Sequence, residues 1–138
     1  MTTSQDVYDG SCCCGRVRFR TQGPFGTFSH CHCVDCRKTH GAAFATYIGV
    51  ARPRFHFLQG EGEIASFATE TGTRRSFCRT CGSTLTSTVT SEPDNIYVAT
   101  GTLDTPLHLR PAYHIFIRSR VPWLDLHDGL PQHREFAD

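Results

Sequence analysis

The sequence predicts a single, mainly β domain with little helix, and three observations support this fold class. First, no window of a dozen residues shows the apolar spacing of an amphipathic helix. Second, many short segments alternate polar and apolar residues or are rich in β-branched and aromatic residues, as strands are. Third, 12 glycines and 7 prolines among 138 residues supply frequent turns. An apolar content of 38% indicates a modest apolar core, smaller than the deep core of a helical bundle.

These patterns also predict the individual elements. Residues 16–20 alternate arginine with apolar residues, as a half-buried strand does, whereas residues 42–50 are mostly apolar, as a buried strand is. We expect at most one turn of helix, over residues 37–41, ended by Gly41. The same reasoning predicts further strands at residues 54–58, 64–69, 74–77, 83–90, 95–100 and 113–118.

The length indicates how the chain is organised. At 138 residues and 15.4 kDa it falls in the commonest size range for one domain. Residues 1–9 are short and polar, so we expect a flexible N-terminal segment there. Residues 10–138 are then predicted to form the single domain. The sequence does not indicate an oligomeric state.

The charge and the N-terminal sequence restrict the partners and the compartment. A formal net charge of +1 and a pI near 7.6 give no electrostatic footprint for nucleic acid or an anionic membrane surface. Residues 1–10 lack the basic start and apolar run of a secretory signal, and no stretch approaches the ~20 apolar residues of a membrane span. We therefore predict a cytoplasmic protein with neither nucleic acid nor membrane as partner.

The eight cysteines allow two interpretations. An even number in a short chain can form a disulfide framework, but a reducing cytoplasm favours metal ligands or catalytic thiols. The C-x-C and C-x-x-C spacings also favour metal binding over disulfides. Seven of the eight fall into three clusters, which are Cys12 with Cys14, Cys31 with Cys33 and Cys36, and Cys78 with Cys81.

The central cluster has the spacing Cys31-x-Cys33-x-x-Cys36. Side chains two apart in an extended segment share a face, and a short turn would bring Cys36 round to the other two. Three thiolates are the ligand number of a catalytic zinc, whose fourth position stays open for water or substrate. The neighbouring histidines, His30, His32 and His40, leave another possibility, because any of them could close that position and make the site structural. His32 faces away on a regular strand, so we expect it to form hydrogen bonds instead.

The two cysteine pairs suggest a second site. Cys78-x-x-Cys81 followed by Gly82 has the form of a zinc knuckle, which needs a partner pair to complete a tetrahedron. Cys12 and Cys14 can supply it, giving a four-cysteine structural zinc. A single zinc held by some other four of these cysteines remains the alternative. The eighth cysteine, Cys13, is expected to be a small buried apolar residue.

Charged residues near the triplet bear on its chemistry. Zinc with three thiolates has a formal charge of −1, and a bound substrate thiolate would make it −2, so a nearby cation is needed. Arg37 and Lys38 follow Cys36 directly and could supply it, with the planar Arg37 side chain also suited to carboxylates. Both could instead be solvated surface charges. Arg74 and Arg75 precede the knuckle, and the sequence does not decide which site they reach.

Five motifs follow one another along the chain. They are Gly10-x-Cys12-x-Cys14-Gly15-x-Val17, Cys31-His32-Cys33-x-x-Cys36-Arg37 with Gly41, Phe77-Cys78-x-x-Cys81-Gly82, Gly101-x-Leu103-Asp104, and His114-Ile115-Phe116 with Ser119 and Trp123. In this order they resemble the glutathione-dependent formaldehyde-activating enzyme family, also called the CENP-V/GFA domain. The resemblance covers residues 10 to about 130.

This resemblance implies a zinc-binding, β-rich Mss4-like fold and two zinc ions per chain. It implies a carbon-sulfur lyase type of activity, in which formaldehyde and glutathione, or a related thiol, form an adduct such as S-(hydroxymethyl)glutathione. The implied substrate is a small glutathione-like thiol. A zinc-stabilised Mss4-like binding module without catalysis is the alternative. The implied ligands are Cys12, Cys14, Cys78 and Cys81 for a structural zinc, and Cys31, Cys33 and Cys36 for a catalytic zinc.

Overall fold

A computed structural model of the chain describes residues 6–137. Its strands form two sheets, and its α-helix, α1 (Val34–His40), lies between the third and fourth strands in sequence. The strands of the described chain are β1 (Val7–Ser11), β2 (Arg18–Gln22), β3 (Phe28–Cys31), β4 (Ala45–Ala51), β5 (Phe55–Gln59), β6 (Ile64–Ala68), β7 (Thr73–Cys78), β8 (Thr84–Val89), β9 (Asn95–Ala99) and β10 (Tyr113–Ile115).

The smaller sheet has the order β1-β2-β5, and the larger has the order β10-β3-β4-β9-β8-β7-β6. Neighbours are antiparallel except β10 and β3, which run parallel. The register places Ile115 of β10 and Ala45 of β4 on either side of Cys31. The first cysteine of the triplet therefore ends a strand that is paired on both sides.

Apolar side chains from both sheets make up the main core. Phe19 and Phe55 of the smaller sheet stack with ring centroids 5.2 Å apart. They belong to one buried cluster with Ile48, Leu85 and Val98 of the larger sheet. Burial of each such side chain contributes roughly 1.5–3 kcal/mol. This shared core holds the two sheets together, and with them the cysteine-bearing loops at their ends.

The helix differs from the sequence prediction. We expected at most one turn over residues 37–41, but α1 spans Val34–His40. It starts at Cys33, whose extended backbone and side-chain sulfur cap the helix by accepting from the Cys36 N–H at 3.2 Å. It ends as expected at Gly41, whose φ of 59° is in the left-handed region that glycine tolerates best. The second half of the triplet is therefore the start of a helix rather than a turn.

The mainly β prediction is confirmed, and each predicted strand overlaps an observed one. The prediction for the N-terminus was wrong in part. Val7–Ser11 forms β1, in antiparallel register with β2, so residues 7–9 are not a flexible segment. Tyr8 is buried in the core, which explains why this short polar stretch is held in place. Residues 1–5 lie outside the described part of the chain.

Candidate metal centres and the adjoining cavity

The first candidate centre joins two distant loops. Cys12 and Cys14 lie in the turn after β1, Cys78 ends β7, and Cys81 lies in the turn between β7 and β8. The four sulfur atoms all lie within 4.8 Å of one another. The Cys12–Cys14 and Cys14–Cys78 sulfur distances are 3.6 and 3.8 Å. A tetrahedral zinc with Zn–S bonds of about 2.3 Å requires sulfur atoms about 3.8 Å apart, so these residues fit a four-coordinate metal.

Local hydrogen bonds shape this cluster, which we call the tetrad. In the knuckle, the Gly82 N–H donates to the Cys78 carbonyl at 2.8 Å. The side chain of Ser83, and to a smaller extent its backbone, form hydrogen bonds with Cys81 that lower the pKa of the Cys81 thiol to about 5. A lowered pKa favours the thiolate, which is the form that binds a metal. Cys13 is exposed and its N–H donates to the Ser83 hydroxyl at 2.9 Å, so the expectation that it is buried was wrong.

The second candidate centre is the triplet of Cys31, Cys33 and Cys36. Their sulfur atoms also lie within 4.8 Å of one another. Cys31 comes from the end of β3, Cys33 caps α1 and Cys36 is in the first turn of that helix. Within residues 6–137, no histidine or carboxylate joins this group as a fourth ligand. The triplet therefore supplies three thiol ligands of the kind that a catalytic metal uses.

The three thiols are electrostatically coupled. Hydrogen bonds from the thiols of Cys31 and Cys36 lower the pKa of Cys33. The hydrogen bond to Cys33 in turn raises the pKa of Cys31, because Cys31 keeps its proton as the donor. A first negative charge is thus most favourable on Cys33, where two thiols and a backbone N–H stabilise it.

The cation beside the triplet is Arg75 of β7, and the guanidinium of this residue is almost fully buried. Its Nη2 donates to the Cys36 sulfur at 3.5 Å. Its Nη1 donates to the Tyr47 hydroxyl and to the Thr39 hydroxyl, each at 3.2 Å. A buried cation needs such partners, and the position of Arg75 offsets negative charge on the thiols.

The two residues suggested by sequence for this role lie elsewhere. The Arg37 guanidinium donates to the Ser119 carbonyl at 3.1 Å and does not line the cavity beside the triplet. Lys38 is exposed. The structure thus brings together the three cysteines but not Arg37, and adds Arg75. The sequence did contain one signal that pointed to this pair of arginines. Arg74 and Arg75 are consecutive residues in a strand, so their side chains must face opposite sides of the sheet.

The neighbouring histidines form hydrogen bonds, as expected for His32. This side chain is fully buried, and its Nε2 lies 2.8 Å from Nδ1 of His114. His114 Nε2 lies 2.7 Å from the Asp128 carboxylate. In a neutral imidazole that donates from Nε2 to this carboxylate, Nδ1 is left to accept from His32 Nε2. His40 Nε2 lies 2.8 Å from the Tyr47 hydroxyl and is not part of the sulfur cluster, so His40 is a hydrogen-bond partner rather than a ligand.

Two C-terminal residues from the sequence analysis lie away from the cavity. His114 of β10 is fully buried, hydrogen-bonded to His32 and Asp128, and does not line the cavity. Trp123 is 71% exposed and does not line this cavity.

A cavity of about 630 Å³ opens beside the triplet. The three cysteines and Arg75 line it together with aromatic residues from β10 and the segment after it. Phe116, just after β10, has φ 58° and ψ 40°, a left-handed conformation that is unfavourable for a bulky residue and is often found at functional sites. The aromatic residues lining the cavity are Tyr47, Tyr97, Tyr113, Phe116 and Phe136.

The fold and these clusters define a class of protein, a small β domain with two cysteine clusters that could each hold a metal ion. One cluster has four cysteines, and the other has three and lies beside a cavity. The chain belongs to the glutathione-dependent formaldehyde-activating enzyme (GFA) family, whose profile matches residues 7–119. It is 30% identical over 140 residues to a Halomonas elongata protein named "Putative glutathione-dependent formaldehyde-activating enzyme", covering 95% of this chain and 87% of that protein. The resemblance seen in the sequence is thereby confirmed.

A solved structure supports the fold. A Rhodobacter sphaeroides protein has a TM-score of 0.62 to this chain at 22% identity, covering 72% of this chain and 91% of that one. Among residues 6–137, no helix has the length and apolar character needed to cross a bilayer.

Proposed function

We propose that this protein is a zinc-dependent enzyme of the carbon-sulfur lyase type that acts on a thiol-aldehyde adduct. The reaction would resemble the joining of glutathione and formaldehyde to S-(hydroxymethyl)glutathione, the pairing that the family name indicates. The observation that carries the proposal is the meeting of three thiols and one buried guanidinium at the side of a cavity.

The metal ligands proposed are those of the two clusters. The tetrad would hold a structural zinc, closed by four sulfurs. The triplet would hold a second zinc, whose chemistry would be to keep a substrate thiol deprotonated near neutral pH. Because the cysteines are free thiols and thiols stay reduced in a reducing compartment, we propose that the protein acts in the cytoplasm.

The chain's own residues would assist in three ways. Arg75 offsets the negative charge that collects on the sulfur atoms, because its Nη2 faces Cys36. Tyr47 and Thr39 fix that guanidinium by accepting from Nη1. Burial raises the pKa of Tyr47, so its hydroxyl remains protonated and holds its place between Arg75 and His40.

The covalent step balances without an oxidant or reductant. The substrate thiol gives up its proton to water, and its sulfur attacks the aldehyde carbon and forms a carbon-sulfur bond. The carbon-oxygen π pair moves to the oxygen, which takes up a proton from water, so that no proton is gained or lost overall. The reverse step breaks the same bond and returns thiol and aldehyde. The protein would accelerate formation of the adduct by placing the thiol and the aldehyde together in the cavity.

Metal analysis and NMR test the proposal. We expect two zinc ions per chain, one of which mild chelation removes while the circular dichroism spectrum is retained. We also expect NMR to show hydroxymethyl-thiol formation above the uncatalysed rate, and Cys31→Ser to abolish the acceleration. Finding one zinc, or two equally inert ones, would favour the binding module without catalysis. Two zinc ions without acceleration would remove the formaldehyde assignment but keep the metal sites.

A further inference from the structure

Arg75 retains one hydrogen-bond donor that no group in the described part of the protein uses. The guanidinium is a rigid, planar fork of N–H donors. Hydrogen bonds join its Nη atoms to Thr39, Tyr47 and Cys36, but among residues 6–137 its Nε has no partner. Arg75 is only 6% exposed, and an unpaired donor on a buried cation is costly. The Nε–H is therefore suited to an acceptor that arrives with a substrate.

This free donor lies close to the sulfur atoms of the triplet. Nε and Nη2 are bonded to the same carbon, and Nη2 donates to the Cys36 sulfur at 3.5 Å. Tyr97 and Phe116, which line the cavity, pack against the buried cluster that contains Cys31 and Cys36. These rings shield the sulfur end of the cavity from water. Hydrogen bonds are stronger in such a partly dehydrated place than in water.

A serine hydroxyl lies next to the free donor. Six serine and threonine residues line the cavity, and one of them, Ser87 of β8, is directly opposite Arg75 of β7 in the sheet. Directly opposed residues have Cβ atoms about 4.5–5.5 Å apart, so the two side chains adjoin the same small part of the cavity. Ser87 is 5% exposed, and a hydroxyl rotates to donate to whichever acceptor is present. Arg75 and Ser87 therefore form a buried pair of donors.

The acceptor that fits this pair is the oxygen of the aldehyde. In the proposed reaction this oxygen is bonded to the carbon that the substrate sulfur attacks, so it must approach the sulfur end of the cavity, where Arg75 and Ser87 lie. The carboxylates of glutathione are many bonds away from its sulfur. They and the peptide groups can instead reach the remaining hydroxyls of the lining, which belong to Thr27, Ser29, Thr71, Thr73 and Ser91.

We propose that Arg75 and Ser87 are catalytic residues, whose Nε–H and hydroxyl donate hydrogen bonds to the aldehyde oxygen and stabilise the negative charge that forms there. This inference rests on the proposed function, because it assumes that the substrate thiol binds at the triplet. As the carbon-sulfur bond forms, the carbon-oxygen π pair becomes a lone pair on the oxygen, which then takes up a proton from water. Arg75 and Ser87 keep their protons, so the pair acts in the manner of an oxyanion hole.

Replacing Ser87 with alanine tests the hydroxyl. Thr88→Val is the matched control, because Thr88 is the next residue of β8, faces the other side of the sheet and does not line the cavity. With glutathione and formaldehyde, we expect the catalysed rate measured by NMR to fall about tenfold or more in Ser87→Ala, since removing one oxyanion donor costs on the order of 10²–10³. The affinity for glutathione alone, read from the sulfur charge-transfer absorption of Co²⁺-loaded protein, should not change. A rate in Ser87→Ala equal to that of Thr88→Val would overturn the inference.

A second thiol separates the aldehyde oxygen from a carboxylate as the bound group. 2-Mercaptoethanol has no carboxylate, so Ser87→Ala should slow the reactions of 2-mercaptoethanol and glutathione by the same factor. A defect seen with glutathione alone would mean that the pair of donors binds a carboxylate, which overturns the inference and leaves the proposed function intact. If the wild-type protein accelerates the reaction of neither thiol, the proposed function and the inference are both overturned.

The Nε–H of Arg75 can be observed directly, without turnover. Formamide presents a carbonyl oxygen like that of formaldehyde but resists attack by a thiol. In ¹⁵N-labelled, zinc-loaded protein saturated with glutathione, we expect added formamide to move the Arg75 Nε–H proton resonance downfield. That resonance is identified by its absence from the spectrum of Arg75→Met. Ser87→Ala should require several-fold more formamide for the same shift, and Thr88→Val should not. A wild-type resonance that formamide does not move, or equal titrations in wild type and Ser87→Ala, would overturn the inference.

Discussion

Replacing Arg75 with methionine is predicted to weaken metal binding at the triplet while sparing the tetrad. The guanidinium is almost fully buried, and its Nη2 lies 3.5 Å from the Cys36 sulfur. Methionine keeps much of the length of the side chain and removes its charge. The variant therefore tests the electrostatic role of Arg75 with little change in packing volume.

The size of the effect follows from this distance. Unit charges 3.5 Å apart attract by about 5 kcal/mol at an effective dielectric constant of 20. Arg75 also stabilises the Cys33 thiolate of the metal-free site, and this part of the attraction cancels on metal binding, so we expect a net loss of roughly 3 kcal/mol. Since about 1.4 kcal/mol is a factor of ten, metal affinity at the triplet should fall by about a hundredfold. The loss also leaves the hydroxyls of Tyr47 and Thr39 without one hydrogen-bond donor each.

The assay is competition for zinc with a chromophoric chelator, which resolves a weaker and a tighter class of site. The tetrad serves as the internal reference in each molecule. Arg74→Met is the matched control, because the neighbouring Arg74 side chain is exposed and donates to Ser66 at 2.8 Å. Equal affinities in Arg75→Met and wild type, or an equal fall at both classes of site, would refute the electrostatic role of Arg75.

Two further predictions concern stability. Gly10→Ala should lower the free energy of unfolding by about 1–3 kcal/mol, since an added Cβ would lie 2.2 Å from the Phe19 ring. Gly62→Ala is the control and should leave this free energy unchanged, because no atom lies within 4 Å of the added Cβ. Chemical denaturation of the two variants measures the difference. Burial and, after it, the hydrogen bond with Glu92 raise the pKa of the Tyr97 hydroxyl. Above pH 10 this hydroxyl therefore ionises in the unfolded chain before it ionises in the folded protein, so the free energy of unfolding falls as the pH rises. An absorbance titration at 295 nm should lose a late-ionising component in Tyr97→Phe, and an unchanged titration would contradict this.

The strand content and the grouping of the cysteines could be predicted because their signals are local. Strand patterns extend over five or so residues, and the cysteine spacings place two or three thiols within six residues of one another. The strand β1 could not be predicted, because Val7–Ser11 is short and polar. It is held by pairing with β2 and by burial of Tyr8 in a core made by distant strands. Tertiary contacts outweigh local propensity there.

The cation and the buried histidine pair could not be predicted for a related reason. Arg75 and Cys36 are 39 residues apart, and His32 and His114 are 82 residues apart. A bulge between Ser76 and Phe77 shifts the register of β7 against β8. Counting alternate residues from the knuckle therefore does not tell which arginine faces the triplet. Adjacency to Cys36 suggested Arg37, but a helix directs that side chain to Ser119 instead.

The two centres should differ in their effect on folding because of how much chain each one closes. The tetrad joins Cys14 to Cys78 across 64 residues, so a metal there links the β1–β2 turn to the β7–β8 turn and restricts the unfolded chain strongly. The triplet spans only Cys31 to Cys36, and β3 and α1 already hold those residues in place. A metal at the triplet therefore adds little to tertiary stability, which leaves that site free to exchange ligands. For the same reason Cys78→Ser should unfold the domain at temperatures where Cys31→Ser remains folded, as a thermal melt would show. The reverse order would mean that the triplet, rather than the tetrad, is the structural centre.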